Sequence, residues 1–300
     1  MSVHLQPRDL ILLEELGEYG VLDTATLNVR HWPAAETPRA CQQRLRVLAD
    51  AGLIRKTNLV VAVGRGINRG GGSLPAVYSL SPRGADYVEH ETGRKPRRIA
   101  HDDLAPATIL HRLETVQARL AIDDACRKCD LPQPTWILEQ DSYPKATPSD
   151  PLDRRQILYE RFTLDDGSET SCRPDASSLL HIPKPSRPDV WDALVVYWEI
   201  DRGSSSSQRE KDKILGYEAL NQSHRYAEHW PAASEATVRV FYVCPSMDRI
   251  KSVSQHVRGR PAAALYRFAL RSDLVPTHVL TGPVWHDADG KTYRILRQAT

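Results

Sequence analysis

Three acidic residues and a lysine in the second half of the chain have the types and spacing of a site that handles phosphate. Glu199 and Asp201 stand two apart at the end of an almost wholly apolar run, residues 193–201. Alternation along a strand turns both toward one face. Asp175, directly after Pro174, opens another expected strand. If those strands are neighbours, three carboxylates meet at one edge of a sheet. Hard divalent cations such as Mg²⁺, or Mn²⁺ in its place, take such oxygen ligands, keep several waters and share phosphate oxygens with a substrate. An ion held there activates a water and steadies the leaving oxygen in phosphodiester cleavage. A nearby lysine offsets the charge that develops. Lys211 and Lys213 on the next helix are the candidates. Lys213 shares a helix face with Tyr217, four residues on, and Lys211 lies on another side. The expected metal ligands are therefore Asp175, Glu199 and Asp201, and the expected catalytic set is Asp175, Glu199 and Lys213. The competing reading makes the three acids strand-end residues paired with Arg173, Arg202 or Lys213.

A second group points to nucleic acid. Thr37-Pro38 starts an expected helix over residues 38–51. Its inward stripe is Cys41, Leu45, Leu48 and Ala49, which turns Arg39, Gln42, Gln43 and Arg46 outward. Arginine pairs bidentately with guanine and glutamine with adenine when a helix lies in the major groove. Further on, GRGINRGGGS (residues 64–73) sets Arg65 and Arg69 among glycines, suited to phosphate or minor-groove contact. Residues 55–98 hold nine basic residues against three acidic ones, although the whole chain has a net charge of only +2. The local surplus attracts polyanions whatever the total. The partner these residues fit is double-stranded DNA. The competing reading is a protein-binding module with solvated arginines.

These residues need elements to position them. Before the outward-facing helix, residues 8–19 show helical spacing at Leu10, Ile11, Leu13 and Leu16, and Asp23 or Thr24 caps a short helix over 25–29. After it come strands over 54–63 and 76–80, then a helix over 83–91 capped by Ser81-Pro82. A polar stretch at 94–103 links to a helix over 104–129 and a short strand at 135–139. The second half predicts a strand at 156–164 paired with one at 172–182, then the buried strand 193–201. A helix at 208–221, a strand at 237–244, helices at 247–257 and 262–270, a strand at 277–282 and a short hairpin follow. The class is mixed α/β.

Composition narrows the function classes. With 300 residues, 41% hydrophobic and 26% charged, the chain suits a globular protein of about two domains rather than a disordered or fibrous one. No apolar run reaches the roughly 18 residues a membrane span needs. The first ten residues lack the pattern of a secretory signal. Five scattered cysteines fit a reducing cytoplasm better than a disulfide scaffold. Cys126-x-x-Cys129 has no second Cys/His pair nearby, which speaks against zinc. His224 and His229 read as surface residues.

Three helices followed by two strands about a basic loop is the order of a winged helix-turn-helix. The phrases LRVLADAGLIRK and VYSLSPRGADYV resemble that family over about residues 7–95. Pro174-Asp175, Glu199-x-Asp201 and a lysine on the next helix resemble the PD-(D/E)XK nuclease-like superfamily. The whole order, a winged helix followed by RPDA, WEIDRG and K-x-x-x-Y, resembles the replication-relaxation family across most of residues 7–245. The resemblance implies an N-terminal winged helix-turn-helix DNA-binding domain (1–95), a linker and connecting helix (96–150) and a restriction-endonuclease-like mixed α/β domain (151–300). It also implies links to plasmids and mobile elements. By superfamily analogy Glu114 joins the site, with His111 on a neighbouring helix face. The pattern departs at Asp201, where the superfamily places lysine; Lys213 fits relocation of that lysine to the adjacent helix. Two functions follow: Mg²⁺-dependent nicking or cutting of DNA, or a non-catalytic replication or transfer accessory factor or transcriptional regulator. A homodimer is compatible with a palindromic target.

Overall fold

The computed structural model describes residues 4–35, 37–59, 76–96, 104–184, 187–203, 205–233 and 236–296. The loop at 64–73, with Arg65 and Arg69, lies outside the described residues, as does the end of the strand expected over 54–63. The chain has an α/β fold and divides into two compact units, Met1–Val116 and Gln117–Thr300.

The first unit begins with α1 (Pro7–Tyr19), whose first turn is closed by Asp9 accepting from the Gln6 amide at 2.7 Å. Gly20, at φ 81°, ends it. Leu13 and Leu16 are buried as expected, but Ile11 is 55% exposed and Leu12 takes the inward place. The two-residue strand β1 (Leu22–Asp23) leads into α2 (Thr24–His31), capped by Asp23 accepting from the Thr26 amide at 2.7 Å. α3 (Arg39–Asp50) buries Cys41, Leu45 and Leu48. Strands β2 (Ile54–Thr57) and β3 (Val77–Leu80) complete a three-stranded antiparallel sheet in the order β1-β3-β2. α4 (Pro82–Thr92) is capped by Ser81, as expected. Part-buried polar contacts tie α1 to its neighbours: Asp9 pairs with Arg44 of α3, and Glu15 pairs with Arg30 and hydrogen-bonds His31 of α2. Hydrogen bonds from His31 and Arg30 outweigh burial at Glu15 and hold its carboxyl at about 2.

The division between the units falls within α5 (Pro106–Lys128). The second unit is built on a seven-stranded sheet in the order β12-β11-β10-β9-β8-β7-β4. Its members are β4 (Thr135–Leu138), β7 (Ala176–Lys184), β8 (Arg187–Ile200), β9 (Thr237–Cys244), β10 (Tyr266–Leu270), β11 (Trp285–His286) and β12 (Thr292–Tyr293). β8, β9 and β10 are parallel and central, and the flanking pairs are antiparallel. The crossovers carry α7 (Ser207–Gln222), the short α8 (Tyr226–His229) and α9 (Met247–Val257). One face packs Val195, Tyr197, Val240, Tyr242 and Phe268 against Ile214, Tyr217 and Val253 of α7 and α9. The other packs Val196, Trp198, Phe241 and Trp285 with Ile122 and Ala125 of α5. A short helix, α6 (Leu152–Arg155), precedes a separate hairpin of β5 (Glu160–Thr163) and β6 (Glu169–Cys172).

Three expectations fail here for physical reasons. The partner strand expected at 172–182 is two strands: β6 pairs with β5, and β7 pairs with β8 and β4. Pro174 lies between them and has no amide to continue a ladder. The helix expected at 262–270 is a 3₁₀ turn (Pro261–Leu265) followed by β10, where alternation buries Tyr266 and Phe268 on one face. The strand expected at 277–282 is a series of turns whose Val279 and Leu280 pack on the α5 face of the sheet.

Candidate functional site

The carboxyl ends of β8 and β9 are where an open parallel sheet leaves room for a ligand. Glu199 is the penultimate residue of β8 and only 1% exposed. β7 runs antiparallel to β8 with Ala176 opposite Trp198, so the register carries Asp175 to the position facing Glu199. The Asp175 amide donates to the Trp198 carbonyl at 3.0 Å, and its Oδ2 accepts from the Ile200 amide at 2.7 Å. The two acids expected to be neighbours are therefore neighbours. Asp175 is fixed by backbone at the point where Pro174 frees the chain from β6.

α7 supplies the cation. Lys213 Nζ hydrogen-bonds Glu199 Oε2, and Tyr217, one turn later, donates to Glu199 Oε1 at 2.7 Å. Gly216 sets the depth of this helix: a Cβ there would lie 2.3 Å from the Ser171 carbonyl oxygen, so only glycine lets α7 settle onto β6. Lys211 is exposed and on another side, which makes Lys213 the helix lysine that meets the acid. Burial raises the Glu199 carboxyl to about 7; Lys213 pulls it back and the Asp175 charge pushes it further up. Burial opposes the Lys213 charge, but Glu199 and Asp175 outweigh it and hold the ammonium protonated.

Asp201 shares the face of Glu199 but not its partners. It lies just past β8 and is 5% exposed. Arg249 of α9 takes both its oxygens, from Nε at 2.5 Å and from a terminal nitrogen at 3.1 Å. The same guanidinium reaches Glu210 Oε1 at 2.6 Å, and Tyr242 donates to Glu210 Oε2. Asp201 thus belongs to a second, closed network of Asp201, Arg249, Glu210 and Tyr242. Of the partners considered for the acids, Arg173 pairs with Glu139 at 3.0 Å instead. Glu114 and His111 lie on the part of α5 assigned to the first unit.

The donor set does not fit a divalent cation as arranged. Both oxygens of Asp201 face Arg249, and those of Glu199 face Lys213 and Tyr217. Among the described residues, no group of three or more His, Cys, Asp or Glu side chains is gathered to hold a metal ion. What the site offers instead is a groove of about 860 Å³, bordered by Asp175 and Lys213 together with Arg161, Arg173 and Arg209.

In the first unit Arg39, Gln42, Gln43 and Arg46 are all exposed along α3. Gln42 and Arg46 border a groove of about 610 Å³ with Lys56 of β2. Sequence reasoning missed Arg249, Glu210 and Tyr242, which carry no recognisable spacing. It also misplaced His229, whose side chain is 1% exposed. That ring sits between the Tyr197 hydroxyl at 2.9 Å and Glu160 at 3.1 Å, because α8 turns it inward, while His224 is exposed.

Among the described residues no helix is long and apolar enough to cross a membrane. A family model described as replication-relaxation matches residues 13–232, from within α1 through the β7–β8 pair and α7. Neither curated proteins nor solved structures give a significant match.

Proposed function

This chain belongs to the replication-relaxation family, and from that premise we propose that it binds duplex DNA through α3 and acts as a non-catalytic replication or transfer accessory factor. The first unit serves as a winged helix-turn-helix and the second as a nuclease-like α/β body. The observation that carries the binding half is the exposed edge of Arg39, Gln42, Gln43 and Arg46, on a helix whose opposite side is pinned by the Arg44–Asp9 pair. A rigid helix presenting two guanidiniums and two amides is chemically matched to base edges and phosphates. The observation that carries the non-catalytic half is the assignment of every Glu199 and Asp201 oxygen to a protein donor.

Fluorescence anisotropy with duplex DNA over a series of salt concentrations tests the binding half. Arg39→Ala and Arg46→Ala should each weaken binding, and a variant that removes a phosphate contact should lower the salt slope by about 1. Unchanged affinity and slope in the double variant would refute it.

A second reading is Mg²⁺- or Mn²⁺-dependent nicking through Asp175, Glu199 and Lys213. It is favoured by one observation, that Asp175 and Lys213 border the same groove with Glu199 directly behind them. Supercoiled plasmid that stays intact with either metal supports the accessory role. Nicking that disappears in Asp175→Ala and in Glu199→Ala supports the second reading.

A further inference from the structure

On the face of the seven-stranded sheet away from α7, at the end opposite Glu199, a cavity of about 360 Å³ lies over the starts of β9 and β10. Three arginines line it, Arg239 from β9, Arg267 from β10 and the exposed Arg294 just after β12. The parallel register pairs Arg267 with Phe241, so Arg239 and Arg267 are diagonal neighbours on one face. Among the described residues their side chains donate to nearby backbone carbonyls: Arg239 to Val238 at 2.7 Å, and Arg267 to Tyr266 at 2.6 Å and Ala264 at 3.2 Å. The Arg267 guanidinium lies 4.3 Å from the centre of the Tyr293 ring. Among the described residues neither arginine forms an ion pair.

Four other part-buried arginines differ from them. Arg30, Arg44, Arg249 and Arg260 each have a carboxylate. Of the acids near the cavity, Asp192 pairs with Lys184 at 2.9 Å, and Asp287 accepts from the Tyr293 hydroxyl at 2.8 Å while its charge also acts on Arg267 without an ion-pair contact. Burial first, and then the Arg267 charge, makes Arg239 easier to deprotonate than usual; burial does the same at Arg267. Arg239 and Arg267 are adjacent part-buried cations with one nearby counter-charge, Asp287, acting on Arg267, and such a pair is eased when an anion joins it. A dianion answers both at once, and a phosphate monoester carries close to two charges with three acceptor oxygens. Guanidinium forks match those oxygens bidentately. The cavity wall of Ile182, Leu194 and Phe241 suits a small carbon skeleton, and the volume lies in the range of small-ligand pockets.

We propose that this cavity binds a small organic phosphate monoester, with Arg239 and Arg267 on the phosphate and the apolar wall on its organic part. The site is independent of the DNA-binding reading: it lies on the other face of the sheet from the Asp175 groove, and in the second unit rather than on α3.

Titration calorimetry and thermal unfolding of the full chain with ribose 5-phosphate, inorganic phosphate and chloride at matched ionic strength test it. Ribose 5-phosphate should bind and raise Tm, with inorganic phosphate weaker because it leaves the apolar wall empty. Arg239→Gln and Arg267→Gln should each weaken binding at least tenfold, while unliganded Tm does not fall in Arg239→Gln because an uncompensated cation is gone. Thr237→Trp, at an exposed position on the rim, should fill the cavity and abolish binding with both arginines intact; this variant decides the matter if the arginine variants fail to fold. Ribose 5-phosphate acting no differently from chloride, or binding equally to wild type and Thr237→Trp, would overturn the proposal.

Discussion

Replacing Lys213 by methionine should destabilise the second unit by about 3–5 kcal/mol at pH 8, because it strands a carboxylate that has left water. Glu199 is 1% exposed and would keep only the Tyr217 hydroxyl. The pH dependence fixes the sign. The folded Glu199 carboxyl titrates at about 7, against an ordinary 4.5. Between those values the folded chain holds a proton that the unfolded chain has lost. This contribution is therefore fully favourable below about pH 4.5 and is lost as pH rises through 7, by roughly 3 kcal/mol at about 1.4 kcal/mol per pH unit. Lys213→Met removes the larger of the two groups opposing that rise and leaves Tyr217, so its deficit should be large at pH 8 and small at pH 5. Glu199→Gln should cost less, since Lys213 is 38% exposed and can turn to water in the groove. The double variant should recover most of what Lys213→Met loses. Urea unfolding followed by tryptophan fluorescence suits the test, because five of the six tryptophans lie in the second unit. Equal deficits at pH 5 and pH 8, or a double variant no more stable than Lys213→Met, would refute the buried-pair argument.

Arg249→Ala should be as damaging, about 3–5 kcal/mol in the same urea assay, because Asp201 and Glu210 lose one shared guanidinium; Arg249→Lys should restore only part, as it cannot serve both acids with a planar fork. Gly216→Ala should cost about 1–3 kcal/mol, read as a fall in Tm, since the added methyl meets the Ser171 carbonyl and α7 must lift away with Lys213 and Tyr217. In the first unit Glu15 has its carboxyl lowered to about 2 from 4.5. Its contribution is present above pH 4.5 and is lost as pH falls through 2, by roughly 3 kcal/mol. An acid titration of Trp32 fluorescence should show this loss in wild type and not in Glu15→Gln.

Much of the site was legible because its signals are local. The apolar run ending in Glu199 announces a strand buried on both faces, and i, i+4 spacing puts Lys213 and Tyr217 together on one side of α7. Caps did the same for α2 and α4, where Asp23 and Ser81 accept first-turn amides. The failures are long-range. Nothing near Asp201 in the sequence says that Arg249, 48 residues on, will clamp it. The segment ending in YRFAL has enough apolar residues for a helix, and only the vacant edge of β9 makes it a strand. His229 looked solvated because its neighbours are polar, yet Tyr197 and Glu160 come to it from other strands.

The two networks at the strand ends differ in how hard they are to open, and that difference orders the functional alternatives. Freeing Asp201 means withdrawing Arg249, which leaves Glu210 buried and uncompensated as well; two acids lose one cation, and the cost of several kcal/mol falls on both. Freeing Glu199 means turning the partly exposed Lys213 into the groove, which strands one carboxylate rather than two while Tyr217 keeps its bond. The carboxylates that can become available to an outside cation or to water are therefore Asp175 and Glu199, and Asp201 is structural. Asp201→Asn should accordingly lower stability without changing DNA affinity, whereas Asp175→Asn should leave the Asp201–Arg249 network intact. Unfolding midpoints and anisotropy on the same two variants separate these outcomes. A loss of DNA binding in Asp201→Asn at full stability would mean that the clamp itself faces the nucleic acid, and would reverse the assignment.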